Sequence, residues 1–520
     1  MQHLRGLDVA VIAIYMAAVV WIGLRLGGRQ TTTERYFMAK RSVPSWAVGF
    51  SLFATMITSV SFIAYPGSAY AGQWTELLQG LMGVAVLAIV AAVLVPFFRH
   101  VIGMSAYEYF EQRFSYGVRA YGSIIFAIGH FTKMGFIFYL VSLAIQSLTG
   151  WSLYGIIGAT GLVTVIYTCV GGMEAVIWID VVQGFVLWAG LLVSLAYLLF
   201  LPPGGPAAPL HLAWAAHKIS FGSLAFNLSH KNAWVMAAYG FFYYLQRYSA
   251  DQTLVQRYLV AKTDRGAVKA VGLAVALCLP VWILFLLIGS LTWSYYRLSG
   301  EVLPAAITKP DQVFPYFLSV HIPVGLAGVI MASLFASAMS GVSADLNCLA
   351  ALGVGDFYSK LRPAASDARK LRWGKVLVVL SGALCVLIAC ALAGTTRAAL
   401  PLYFVLSSIV AGGLFGVFFL AFISPRANAP GIWCGIGASL LFTLYAALTG
   451  GDDRLVNLGR GNFPWHSLMV GPLSNLVVIA VGAAASRLFP RAPRGRRELT
   501  LKGWLERRRC APAPASQALV

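Results

Sequence analysis

The 520 residues are 59% hydrophobic and only 11% charged, with a mean hydropathy of +0.77; soluble domains carry about 25% charged residues. Too few polar side chains remain to cover a water-soluble globule, which excludes a soluble enzyme and a disordered chain. The net charge of +20 is not a nucleic-acid footprint, because the basic residues sit in short stretches between long apolar runs and gather near the C-terminal end, as in membrane proteins that face anionic lipid.

A membrane helix needs about 20 apolar residues. Thirteen runs meet that length: 7–27, 46–73, 77–98, 117–148, 152–171, 174–201, 233–258, 266–296, 322–355, 373–395, 402–424, 429–449 and 467–487. The first is too long for a signal peptide and lacks a small-x-small cleavage site. The seven Cys form no CxxC pair and read as small packing residues. An odd number of spans puts the termini on opposite sides. With the N-terminus outside, the inner stretches hold 28 Lys and Arg and the outer ones 8, with Lys133 and Arg247 left inside spans. That asymmetry predicts a cytoplasmic C-terminus, and the basic tail over 488–520 is expected to lie solvated near anionic headgroups.

Two spans make poor uniform helices. The second places Thr55, Thr58, Ser59 and Ser61 at its centre, followed by Pro66-Gly67. Hydroxyls there compete for backbone bonds, and proline removes a donor. The seventh carries Arg247 and Asp251, four residues apart, inside an apolar run. These two spans open equivalent groups of five, 46–201 and 233–424. An extra helix precedes them within 1–30, and two more follow over 429–487. An odd number of helices per repeat inverts the second copy in the membrane, a pattern found in secondary transporters. The expected fold is therefore an all-α membrane protein with a five-plus-five inverted-repeat core and broken first and sixth core helices.

Five segments, in order, carry a resemblance: E-R-Y-F-M-A-K-R-S (34–42), Y-T-C-V-G-G-M-E-A (167–175) with W-I-D-V-V-Q-G (178–184), D-Q-T-L-V-Q-R-Y-L (251–259), S-A-M-S-G-V-S-A-D-L-N (337–347), and G-D-F-Y (355–358). Over residues 8–490 the chain resembles the sodium:solute symporter family, which moves sugars, proline, monocarboxylates, iodide, pantothenate and sialic acid. The resemblance implies a leucine-transporter-like core, alternating access and Na+ as the coupling ion. It carries the family's sodium ligands onto the carbonyls of Ala54, Ile57 and Ser337 and the hydroxyl of Ser340. The next hydroxyl position is Gly341, so one ligand is missing. Asp180 matches an Asp that in some relatives serves a second sodium site or the exit path. Asp180 and Asp345 are also the candidates if H+ couples instead.

The solute is expected at the midplane, beside the broken helices. Candidate contacts are Thr55, Thr58, Ser61, Gln79, Lys133, Gln246, Arg247, Asp251 and Gln252. Sugar-carrying members are polar where this chain has Met56, Val60 and Phe404, which argues against a hexose; F-T-K (131–133) and D-Q (251–252) nevertheless resemble those members. Lys133 and Arg247 permit two readings. In one, Arg247 pairs with Asp251 and Lys133 with another acid. In the other, one of them meets a solute carboxylate, so that the cargo is a small organic anion such as a monocarboxylate. A sensor would need an output domain, for which about 33 residues after the last span leave no room. An embedded enzyme would need a metal or nucleophile motif, and neither HExxH nor GxSxG occurs. His130, the one His inside a span, reads as a packing residue.

Overall fold

A computed structural model describes residues 6–510 apart from 29, 306, 395–412, 452–453, 491–495 and 497–498. Its regular elements are helical, with no strand among the described residues. Those that cross or enter the membrane layer are α1 (Gly6–Gly27), α2 (Ser45–Met56), α3 (Ser59–Ala71), α4 (Leu77–Val101), α5 (Tyr116–Thr149), α6 (Leu153–Phe200), α7 (Ala233–Ser249), α8 (Gln252–Leu259), α9 (Asp264–Ser299), α10 (Leu326–Leu352), α11 (Asp367–Gly394), α12 (Leu414–Ile423), α13 (Ala429–Thr449) and α14 (Val470–Ala485). Nine helices among the described residues are long and apolar enough to cross a bilayer, and the bent pair α2–α3 adds another crossing. Residues 402–412 of one expected span, Phe404 included, lie outside the described residues.

The helix α6 shows why length matters. Its 48 residues would reach about 72 Å at 1.5 Å per residue, more than twice a hydrocarbon core. It breaks at Gly172, whose φ of +60° and ψ of −161° are open to glycine and costly for other residues. A Cβ at that position would lie 2.8 Å from the Tyr36 ring and carbonyl. The Tyr36 hydroxyl donates to the Thr168 and Cys169 carbonyls just before the break. Two of the sequence motifs thus meet at one joint, the tyrosine of 34–42 holding the turn of 167–175.

The first core helix breaks where its sequence is least suited to an α-helix. α2 ends at Met56, Ile57 and Thr58 are extended (φ −99° and −108°), and α3 departs at a 56° bend. Farther along, α3 meets α9 so closely that a Cβ on Gly289 would lie 2.1 Å from the Pro66 carbonyl oxygen. The second break lies between α7 and α8. There Asp251 turns to extended backbone (φ −93°, ψ 108°) and caps α8 by accepting from Thr253 N at 2.8 Å.

The added helix α1 docks on the core through glycine. Positions 23 and 27 leave no room for a Cβ against Tyr167 and Val170 of α6. Asp8, 4% exposed, accepts from Gly325 N and Gly328 N at 2.7 Å each and so caps α10. The C-terminal segment departs from a fully solvated tail. Trp504 is buried edge-on against Phe97, and Arg496 donates to the Phe114 carbonyl. An indole beside basic residues gains from apolar burial even in a charged segment.

Candidate functional site

Helix ends leave carbonyls without intrahelical partners. At the α2–α3 break, Phe53 O still accepts from Ile57 N at 3.2 Å and Thr58 O from Phe62 N at 3.1 Å. The carbonyls of Ala54 and Ile57 fall between those two bonds, at the open turn. α10 faces this turn: a Cβ built on Gly341 would meet Thr58 Cγ2 at 3.5 Å and Ile137 Cδ1 at 3.7 Å. Gly341, in the 337–347 motif, therefore looks onto the break, with space for a side chain.

Beside it in the chain, Ser340 donates to Asp180 Oδ1 at 2.6 Å. Asp180 has no exposed surface. Its second oxygen accepts from Ser51 Oγ and lies 3.1 Å from Arg257 Nη2. Arg257, also fully buried, donates through Nε to Ser51 Oγ at 2.9 Å and through Nη1 to the Thr253 carbonyl at 3.0 Å. A hydroxyl has one proton to donate and two lone pairs to offer. Ser340 therefore keeps lone pairs for a cation while its proton is held by the carboxylate. The residues present suit a hard cation, which prefers several oxygens. Ser337 differs: its hydroxyl donates to the Leu334 carbonyl at 2.9 Å within the helix.

The intramembrane basic residues are paired. Lys133 Nζ of α5 lies 2.7 Å from Asp345 Oδ2 of α10, and Arg247 pairs with Asp251 across one turn. Asp345 is fully buried rather than solvated and also accepts from Thr253 Oγ1 at 3.0 Å. His130 lies between the two acids, 2.8 Å from Asp345 Oδ1 and 3.6 Å from Asp251 Oδ2. Buried charges endure when paired, and this cluster ties α5, α10 and the α7–α8 break into one polar layer.

The remaining candidates scatter. The Thr55 hydroxyl donates to Ser51 O at 2.7 Å. Thr58 and Ser61 are half-buried at the first break. Gln79 lies on α4, where its backbone touches Gly240 of α7. Gln246 is half-buried, and its carbonyl accepts from Ala250 N at 2.7 Å. Gln252 is fully buried, donating to Met104 O and accepting from Ala106 N, each at 2.7 Å. It anchors the loop between α4 and α5. Sequence reasoning missed Arg257, Ser51, Thr253 and the bridging place of His130. Arg257 stands inside the quoted 251–259 motif and falls among the basic residues counted on the inner side; its signal is an Arg six residues past an intramembrane Asp.

The profile of the sodium:solute symporter family matches residues 36–437. The sodium/sialic acid symporter NanT of Aliivibrio fischeri is 31% identical over 493 residues, covering 94% of each chain. The human sodium-coupled monocarboxylate transporter 1 is 30% identical over 448 residues, covering 84% of this chain and 71% of its own. A substrate-bound, outward-open Na+-coupled sialic acid symporter superposes with a TM-score of 0.85 at 28% identity, over 94% of this chain and 99% of that one. Sodium is thus the coupling ion, the fold is leucine-transporter-like, and the protein is a transporter rather than an enzyme. The chain belongs to the sodium:solute symporter family.

Proposed function

We propose that the chain carries a small organic anion, a carboxylate, across the cell membrane together with sodium by alternating access. The observation that supports this reading best is Lys133. Its side chain is 27% exposed, against 12% for Arg247, and it stands between α10 and the second break. A carboxylate solute can share this ammonium with Asp345. A sugar would need several free polar partners, and the D-Q pair that resembles sugar carriers is already engaged: Asp251 with Arg247 and Gln252 with the 104–106 loop. The relatives named for sialic acid and monocarboxylates handle carboxylates, which agrees with this reading.

Sodium in this reading is held by the carbonyls of Ala54, Ile57 and Ser337 and by Ser340 Oγ, with Asp180 supplying negative charge behind Ser340. The N-terminus lies outside and the C-terminus in the cytoplasm, where the basic tail meets anionic headgroups. Uptake into vesicles of labelled sialic acid, lactate, glucose and a polyol under a sodium gradient tests the solute class. Uptake of the carboxylates alone is the expected result, and uptake of only the neutral solutes overturns the reading.

A further inference from the structure

His130 of α5 stands between carboxylates of two other elements, with Nδ1 2.8 Å from Asp345 Oδ1 on α10 and Nε2 3.6 Å from Asp251 Oδ2 at the α7–α8 break. Phe126, one turn earlier on α5, stacks on the ring with centroids 3.8 Å apart and fixes its plane. The charged groups facing this place are Lys133 from the same helix, Arg247 and Asp251 from the broken helix, and Asp345 from α10. A neutral imidazole brings no charge to either carboxylate, whereas the imidazolium, at these separations, attracts both. Without that proton the cluster is balanced, Lys133 against Asp345 and Arg247 against Asp251. With it, the cluster holds one positive charge in excess.

We propose that His130 is a proton-binding site and that its proton moves with the solute, alongside sodium. The proton adds to the imidazole from the side of entry and is given up to water on the side of release, with no other bond made or broken. The site joins the α7–α8 break to α5 and α10, elements that must shift relative to one another when access alternates. The imidazolium attracts both carboxylates and so holds these elements together, and deprotonation removes that attraction. The excess charge is what an entering carboxylate neutralises. That part rests on the organic-anion reading; the proton site does not. Histidine is suited to the task because its charge changes within the physiological pH range.

The solute-free test uses full-length protein in nanodiscs with 15N-labelled histidine. The His130 resonances are assigned by their loss in His130→Gln. Both ring nitrogens should become protonated within the pH range over which the protein stays folded; a ring that stays neutral throughout overturns the site. The transport test uses proteoliposomes with a pH dye inside, an inward sodium gradient, and lactate or sialic acid as probe. The lumen should acidify with uptake by the natural chain. His130→Lys, which keeps a fixed positive charge, should take up solute without acidification, and this guards against a glutamine variant that fails to fold. Uptake without acidification by the natural chain overturns co-movement. A protonated ring with no uptake of either anion leaves the proton site standing and sinks the organic-anion reading instead.

Discussion

Ser340 of α10 donates its hydroxyl proton to Asp180 of α6 at 2.6 Å, which leaves its oxygen with lone pairs to offer. The adjacent residue on the same helix is Gly341, which faces Thr58 across that break. The proposed ion site therefore has one hydroxyl where two could fit.

Gly341→Ser should supply the second. Its Cβ would sit in ordinary contact, 3.5 Å from Thr58 Cγ2, so no backbone shift is required. One added neutral oxygen contributes about 1 kcal/mol, which lowers the half-saturating sodium concentration roughly fivefold. Sodium titration of initial uptake rates measures this. An unchanged or raised requirement would mean that sodium is not held at this turn.

Asp180 and Arg257 form a pair with no exposed surface. Removing one partner leaves a buried charge, at a cost of about 3–5 kcal/mol. Arg257→Gln should thus lower the thermal unfolding midpoint of the purified protein sharply, and adding Asp180→Asn should recover much of the loss. Strictly additive losses would show that the two residues act independently.

Lys133→Ala should raise the apparent KM for a carboxylate solute about tenfold, the scale of one charge-assisted contact, and that of a neutral analogue less. Arg247→Ala removes the cation beside Asp251 and should impair both solutes alike. If Lys133→Ala also affects both equally, its pairing with Asp345 is structural and the anion has another anchor.

A reporter fused after Val520 tests the orientation drawn from the 28-to-8 distribution of Lys and Arg. Activity confined to the cytoplasm is expected. Activity on the outer face contradicts the thirteen-span arrangement with its N-terminus outside.

Much of the architecture was legible because a bilayer demands long apolar runs and makes each polar interruption conspicuous. The hydroxyl cluster at 55–61 announced the first break and Asp251 the second. Pairing was harder to read. Arg257 and Asp180 are 77 residues apart in sequence, and nothing local shows that they meet. His130 looked solitary because its two carboxylates come from α10 and the α7–α8 break. Gln252 looked solute-facing by position, but a buried amide with a nearby loop carbonyl and N–H bonds those first. Spacing along a chain reports which face of a helix a residue occupies, not which distant helix covers that face.

Sodium-driven accumulation read together with Ser340→Ala tests the account most directly. Purified protein in potassium-loaded vesicles should concentrate lactate or sialic acid when sodium is imposed outside, and Ser340→Ala should raise the sodium needed. A pH gradient should add to accumulation only while sodium is present. If the solute accumulates under a pH gradient with no sodium, and Ser340→Ala leaves that uptake unchanged, the sodium site described at the α2–α3 break is contradicted.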